Sequence, residues 1–445
     1  MSQHYVVAPG GAVRGRVRVP GDKSVSHRSI MLGSIAEGVT DIAGFLEGAD
    51  ALATMNAFRA MGVRIEGPDA GRVRVHGVGL HGLAAPTGAL DCGNSGTSMR
   101  LLTGLLAGAG VAATLVGDDS LSRRPMRRVI DPLGAMGARI GSREGCPPLV
   151  VEATGGRLVG RRYDMPVASA QVKSALLLAG LYADGDTTVV EPAPTRDHTE
   201  RMLAGLGWPV RRDGAAATVS GGARLRAAPI DVPADVSSAA FFLVAAAITP
   251  GSDLLLEHVG MNPTRTGVIE ILRRMGAAIE VIGLREAAGE PVADLRVRHA
   301  RLAGIEVPPE LVPLAIDEFP AVFVAAACAE GRTVVTGAEE LRVKESDRIA
   351  TMADGLRALG VAARPTPDGM VIEGRSGGGP AFSAGQVDSH GDHRIAMAFA
   401  VAALRAAGEL RVLDTANVAT SFPGFAQTAR AVGIGVREVA GAAAA

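Results

Sequence analysis

Apolar positions at helical spacing run up to the same short phrase six times along this chain. Each run closes on an aliphatic residue and a glycine: Gly62 (FRAMGVRIE), Gly137 (LGAMGARIG), Gly207 (LAGLGWPVR), Gly276 (LRRMGAAIE), Gly360 (LRALGVAAR) and Gly433 (ARAVGIGVR). Successive glycines are 75, 70, 69, 84 and 73 residues apart, so six units account for the 445 residues. A glycine after a helix permits the left-handed residue that ends it, and the aliphatic run beyond begins a strand. The pattern predicts one helix-and-strand unit used six times, with function lying where the copies differ.

Each unit also holds an earlier helix that starts after a polar turn and runs into Ala/Leu-rich residues. The six starts are GDKSVSHRSIMLG, GNSGTSMRLLTG, VASAQVKSALLLAG, VPADVSSAAFFLVAA, AIDEFPAVFVAAA and SHGDHRIAMAFAVAA. Strand-like segments such as TTVVEP, LLLEHVG and TVVTGAEEL follow. The unit reads helix, strand, loop, helix, strands, and is too long for a solenoid repeat of about 20–50 residues. Three units per domain, in two related α/β domains, is the economical arrangement. The midpoint falls near Asp231–Asp235, and the strand expected at Val13–Val19 could pair with either half. The Ser376–Pro380 stretch and the AGAAAA tail are expected to be exposed and mobile.

Composition narrows the class. Hydrophobic residues make up 47% of the chain and charged residues 20%, as in a soluble globular protein. The start, MSQHYVVAPG, lacks the basic and apolar regions of a signal peptide, and no apolar run reaches membrane-spanning length. Cys92, Cys146 and Cys328 are too widely spaced for a disulfide framework or a zinc site, so a reducing cytoplasm is expected. A net charge of -1 speaks against general nucleic-acid or membrane-surface binding. Only three of the 45 basic residues are lysine (Lys23, Lys173 and Lys344), and all three fall inside polar motifs. A lysine pKa can be shifted into a useful range, whereas arginine stays protonated.

The polar motifs point to anion binding with acid/base chemistry. Helix starts rich in Ser, Thr, Asn and Gly carry the positive end of the helix dipole. Ser24 and Ser26, Asn94 and Thr97, and Ser169 suit such ends, and they cluster with Lys23, Arg28, Arg100 and Lys173. Cationic loops recur at equivalent places: DDSLSRRPMRR, PTRDHTER, NPTRTG and RVKESDR. Arginine forks grip phosphate and carboxylate oxygens. Units four to six place Asp235, Asp317 and Asp392 at their helix starts, and Asp317, Glu318 and Glu345 are the acid/base candidates. Gly77–Gly82 fits a dinucleotide-binding phrase, but Pro86 and Gly88 prevent the helix it needs. His390-Gly-Asp-His393 reads as a capped helix start rather than a metal site.

At these residues the chain resembles the 5-enolpyruvylshikimate-3-phosphate (EPSP) synthase family. GDKSVSHR, NSGTSMR, RRPM, SAQVKSA, TRDHTE, NPTRTG, RVKESDR, GDHRIAM and ATSFP recur in family order across residues 21–425. The resemblance implies an α/β fold of two similar domains, each of three βαβαββ units in an inside-out α/β barrel, with the active site in the cleft between them. It implies an N-terminal domain at 22–234, mainly binding shikimate 3-phosphate. The second domain would be 1–21 plus 235–445, carrying phosphoenolpyruvate and acid/base residues.

The implied reaction transfers the enolpyruvyl group of phosphoenolpyruvate to the 5-hydroxyl of shikimate 3-phosphate, releasing phosphate through a tetrahedral intermediate without metal or organic cofactor. Lys23, Ser24, Arg28, Ser169, Ala170, Gln171, Arg196, Asp317 and Lys344 would hold shikimate 3-phosphate. Lys23, Gly96, Thr97, Arg124, Gln171, Arg348 and Arg394 would hold phosphoenolpyruvate. Asp317 would accept the 5-hydroxyl proton, and Glu345 with Lys23 would move the proton at the methylene carbon. A cytoplasmic monomer of aromatic amino acid biosynthesis, touching neither nucleic acid nor membrane, is expected. Where many members carry a lysine before the last Ser/Thr-Phe-Pro phrase, this chain has Thr420, a trait shared by one sub-group of the family. Gly96 matches the glyphosate-sensitive members. The related UDP-N-acetylglucosamine enolpyruvyl transferases normally carry a cysteine before their Arg-Pro, and DDSLSRRP has none.

Overall fold

The computed structural model describes residues 3–154, 158–287, 289–375 and 379–440. The helices come in six pairs: α1 (Lys23–Ile35) and α2 (Ala49–Ala60), α3 (Gly96–Ala109) and α4 (Arg127–Ala135), α5 (Ala170–Gly180) and α6 (His198–Gly205), α7 (Val236–Ile248) and α8 (Gly267–Arg274), α9 (Phe319–Ala327) and α10 (Arg348–Ala358), α11 (His393–Ala402) and α12 (Phe425–Ala431). Every second helix stops on a repeat glycine, whose φ runs from +80° at Gly360 to +104° at Gly137. In all six, the glycine N–H donates to the carbonyl three residues back. The next N–H donates to the carbonyl five back, as in Gly62 to Arg59 and Val63 to Phe58. This double bond pattern satisfies carbonyls that the helix end would otherwise leave open.

The first helix of each pair forms the interior. Every residue of α7 and of α9 is buried, because neither carries a charge and both are apolar or small all round. The helices α3 and α5 approach closely where Gly104 and Gly108 meet Ala175 and Ala179. A Cβ on Gly104 would lie 2.1 Å from the Ala175 carbonyl oxygen, so only glycine fits there.

Six small sheets surround these helices, and among the described residues none closes into a barrel. The first unit sets the pattern: Ile230–Asp231, Glu37–Ala43, Arg72–Val78 and Arg64–Asp69 lie side by side, one parallel pair followed by two antiparallel ones. Three of these four strands are local, whereas Ile230–Asp231 returns from the end of the third unit. Arg14–Val17 fills the same outer place in the fourth sheet, parallel to Asp253–Leu256. The sixth sheet takes Gln3–Val7 between Leu410–Leu413 and Val436–Ala440, with Gln3 opposite Ala440 and Tyr5 opposite Val412. Nothing in the sequence pattern flagged Gln3–Val7 as a strand. The AEEL half of TVVTGAEEL, read as strand-like, forms a 3₁₀ turn at Glu339–Val343.

Two compact units result. One is Gly21–Pro233 with Glu286–Glu290; the other combines the chain up to Pro20, Ala234–Arg285 and the chain from Pro291 onward. Each has its own core, the first running from Val25 to Val232 and the second gathering Tyr5 and Val19 with residues from Ala234 on. No helix is long and apolar enough to cross a membrane among the described residues. The mobile segments expected at Ser376–Pro380 and in the tail lie outside the described residues, except Gly379, Pro380 and Ala440, which are exposed.

Candidate active site

In the unit Gly21–Pro233, the starts of α1, α3 and α5 carry the candidate binding residues. Asp22 caps α1 by accepting the Val25 N–H at 2.9 Å, and Ser95 caps α3 by accepting from Ser98 at 3.1 Å. Of the Ser, Asn and Thr residues that the sequence places at these three helix starts, Ser169 caps its own helix, accepting from the Val172 N–H. Ser26 instead accepts from the Leu46 N–H. Lys23 opens α1 and pairs with Asp50 in the first turn of α2. Asp50 escaped the sequence reading, although an acid in a first helical turn is a recognisable signal.

Arg28 is buried, and each of its three guanidinium nitrogens donates to a neutral group. It donates to Thr199 Oγ1 at 2.7 Å, to Ser174 Oγ at 2.7 Å and to the Ser24 carbonyl at 2.9 Å. Burial draws its guanidinium down to about 10, against the pull of Glu200. Across the α3–α5 contact, Gln171 donates to Thr97 Oγ1 at 2.9 Å and accepts from Arg100. Arg124 reaches the same helix start, donating to Asn94 Oδ1 at 2.7 Å and to Ser120 Oγ at 3.2 Å. Ser24, Ala170 and Arg196 are half-buried. Thus Lys23, Ser24 and Arg28 share α1, while Gly96, Thr97, Arg124 and Gln171 meet around the start of α3.

The other unit holds a compact ionic array. Arg348, at the first position of α10 and with a side chain 1% exposed, touches three carboxylates: Asp392 at 2.8 Å, Glu345 at 2.6 Å and Asp317 at 3.3 Å. Burial disfavours its charge, but the three carboxylates outweigh that and raise its pKa above the usual arginine value. Lys344 stands 3.6 Å from Asp317 and 3.6 Å from Glu340. Asp392 caps α11 through the Arg394 N–H, as the capped-start reading of His390–His393 requires. The half-buried Arg394 side chain makes no ion pair or hydrogen bond among the described residues.

Two expectations are corrected. Glu318, an acid/base candidate by sequence, is 1% exposed and is bound by Ser237 and, at 3.7 Å, by Arg265, so its carboxylate is taken up by internal partners. Lys173 was expected to swell the cation cluster at the α5 start, yet its side chain is wholly buried between Glu191 and Glu200. Among the described residues, no group of three or more His, Cys, Asp or Glu side chains could hold a metal ion.

A family model described as EPSP synthase (3-phosphoshikimate 1-carboxyvinyltransferase) matches residues 7–429. The chain belongs to the EPSP synthase family. A curated relative from Methylococcus capsulatus, named 3-phosphoshikimate 1-carboxyvinyltransferase, is 66% identical over 97% of this chain and 98% of its own. One of the same name from Alkalilimnicola ehrlichii is 68% identical over 97% of this chain and 96% of its own. Among solved structures, an EPSP synthase from Acinetobacter baumannii superposes with a TM-score of 0.91 at 55% identity, covering 99% of this chain and 100% of that one. The enolpyruvyl transferase NikO from Streptomyces tendae superposes at a TM-score of 0.78 with 18% identity, over 98% of this chain and 99% of its own, a likeness of fold alone. The six repeated units are thus the EPSP synthase fold, with small sheets around buried helices.

Proposed function

We propose that this chain transfers the enolpyruvyl group of phosphoenolpyruvate to the 5-hydroxyl of shikimate 3-phosphate, releasing phosphate, and that the residues above divide the work. Ser24, Arg28, Ser169, Ala170, Gln171 and Arg196 hold shikimate 3-phosphate, with Lys344 and Asp317 at its reacting hydroxyl. Arg124, Arg348 and Arg394 hold phosphoenolpyruvate, with Lys23, Gly96, Thr97 and Gln171 around it. Glu345, with Lys23, protonates the methylene carbon C3, and positive character develops at C2. The 5-hydroxyl oxygen bonds to C2 as its proton passes to Asp317. From the tetrahedral intermediate C3 gives a proton back, the C2–O bond to phosphate breaks, and the enol ether remains.

One observation carries this reading. The two carboxylates assigned to opposite proton transfers, Glu345 and Asp317, are held by the two Nη atoms of one buried guanidinium, that of Arg348. Such a fork fixes acid and base relative to one another before substrate arrives, as positioning catalysis of two reactants requires. A cytoplasmic location is in keeping with three free cysteines. The test is phosphate release from phosphoenolpyruvate with shikimate 3-phosphate as acceptor. Release that depends on the acceptor is expected, and no release overturns the reading.

A further inference from the structure

Lys173 is the lysine that the reaction leaves unexplained. It sits one turn into α5, just past Ser169, Ala170 and Gln171, and its side chain is 0% exposed. Its Nζ lies 2.9 Å from Glu191 Oε2 and 2.8 Å from Glu200 Oε1. Glu191 follows the strand Asp186–Val190, and Glu200 stands in the first turn of α6. One ammonium therefore joins a helix, a strand end and a second helix. A compact ammonium with three donors suits a place between two carboxylates, where a planar guanidinium would need more room.

The contacts lead from Lys173 to Arg196. Glu191 Oε1 accepts the hydroxyl of Thr195, and Asp197 is gripped by Arg201 at 2.9 Å and Arg212 at 2.7 Å. Arg196 lies between these two anchored residues. Beside them a second layer binds the same helices, as Thr199 donates to Ser174 at 2.8 Å and both accept from Arg28. Arg28 and Lys173 against Glu191 and Glu200 make a buried set of two positive and two negative groups. Without Lys173, two buried carboxylates would be left next to residues meant for an anion, and unpaired buried charge is costly.

We infer that Lys173 is a positioning residue for the acceptor half-site: it holds Arg196 in place through Glu191 and Thr195, and cancels carboxylate charge that would repel the phosphorylated acceptor. The inference rests on the assignment of Arg28 and Arg196 to shikimate 3-phosphate. Lys173 itself touches no substrate.

The experiment measures phosphate release in wild type, Lys173→Met, Lys173→Met/Glu200→Gln and Thr195→Val, varying each substrate in turn and recording unfolding midpoints. Lys173→Met should raise KM for shikimate 3-phosphate about tenfold or more, the scale expected of a misplaced binding group, while KM for phosphoenolpyruvate holds. Adding Glu200→Gln should recover part of that loss by removing the orphaned carboxylate. Thr195→Val keeps every charge and nearly the same shape, so it should fold even where Lys173→Met does not. It should raise the same KM with a smaller drop in midpoint than Lys173→Met shows. An unchanged acceptor KM in Thr195→Val, or a parallel rise in both KM values in either variant, overturns the inference. Wild type that releases no phosphate overturns the proposed activity instead, and this inference with it.

Discussion

Arg348 Nε stands 2.8 Å from Asp392 Oδ2 although 44 residues separate the two in sequence. Asp392 is itself fully buried and caps α11, so this contact joins the start of α10 to the start of α11. Burial works against the Asp392 charge, and Arg348 overrides it, leaving the folded-state pKa below the ordinary 3.8. A carboxylate with a lowered folded pKa adds stability that is complete above its unfolded pKa and is lost as pH falls through the folded one. Asp392→Asn should therefore cost about 3 kcal/mol at neutral pH, the scale for breaking a buried ion pair. It should also flatten the decline of stability below pH 3.8. Urea unfolding at neutral and acid pH measures both.

Glu345 is the member of the array for which charge and geometry can be separated. Glu345→Gln keeps an acceptor for Arg348 Nη2 but removes the ionisable group. Turnover should fall roughly 100-fold or more, the scale of a lost general acid/base, with both KM values little changed. Unaltered turnover would take Glu345 out of the proton transfer.

Gly96 lies close against Arg100 and Arg124. A Cβ placed there would lie 3.0 Å from Arg100 Nη1, which would have to give way slightly, and 3.4 Å from Arg124 Nη1, an ordinary contact. Gly96→Ala should raise KM for phosphoenolpyruvate about tenfold through that displacement. Wild-type turnover at limiting phosphoenolpyruvate should drop in millimolar glyphosate, and Gly96→Ala should weaken that inhibition. Competition assays on the two proteins decide the matter.

Gly207 isolates the backbone term of the repeat motif. Its φ is +83°, and nothing lies within 4 Å of where a Cβ would be. Gly207→Ala should cost about 1–2 kcal/mol from conformation alone, with no steric share, and leave the kinetics untouched. A thermal or urea melt beside a steady-state assay checks this.

Local features were legible in the sequence, and long-range ones were not. The six glycines could be read because a helix end is decided within about six residues. The polar helix starts could be read as well, but which residue caps each could not, since Asp22 and Ser95 compete with their polar neighbours for the same N–H groups. Lys173 and Lys23 looked alike as lysines near polar helix starts. What separates them is partners: Lys173 meets Glu191 and Glu200 through tertiary packing, whereas Lys23 meets Asp50 and stays partly exposed. Glu318 likewise looked as open as Asp317, and its partners Ser237 and Arg265 are distant in the chain.

The place of Gln3–Val7 between Leu410–Leu413 and Val436–Ala440 bears on synthesis. A ribosome makes this strand long before either of its neighbours emerges. Nearly all of Gly21–Pro233 can be complete while the leading segment still waits with open edges. The second unit can therefore pair this strand only once Leu410–Leu413 and Val436–Ala440 have been made, and until then the cell must keep it from pairing with anything else.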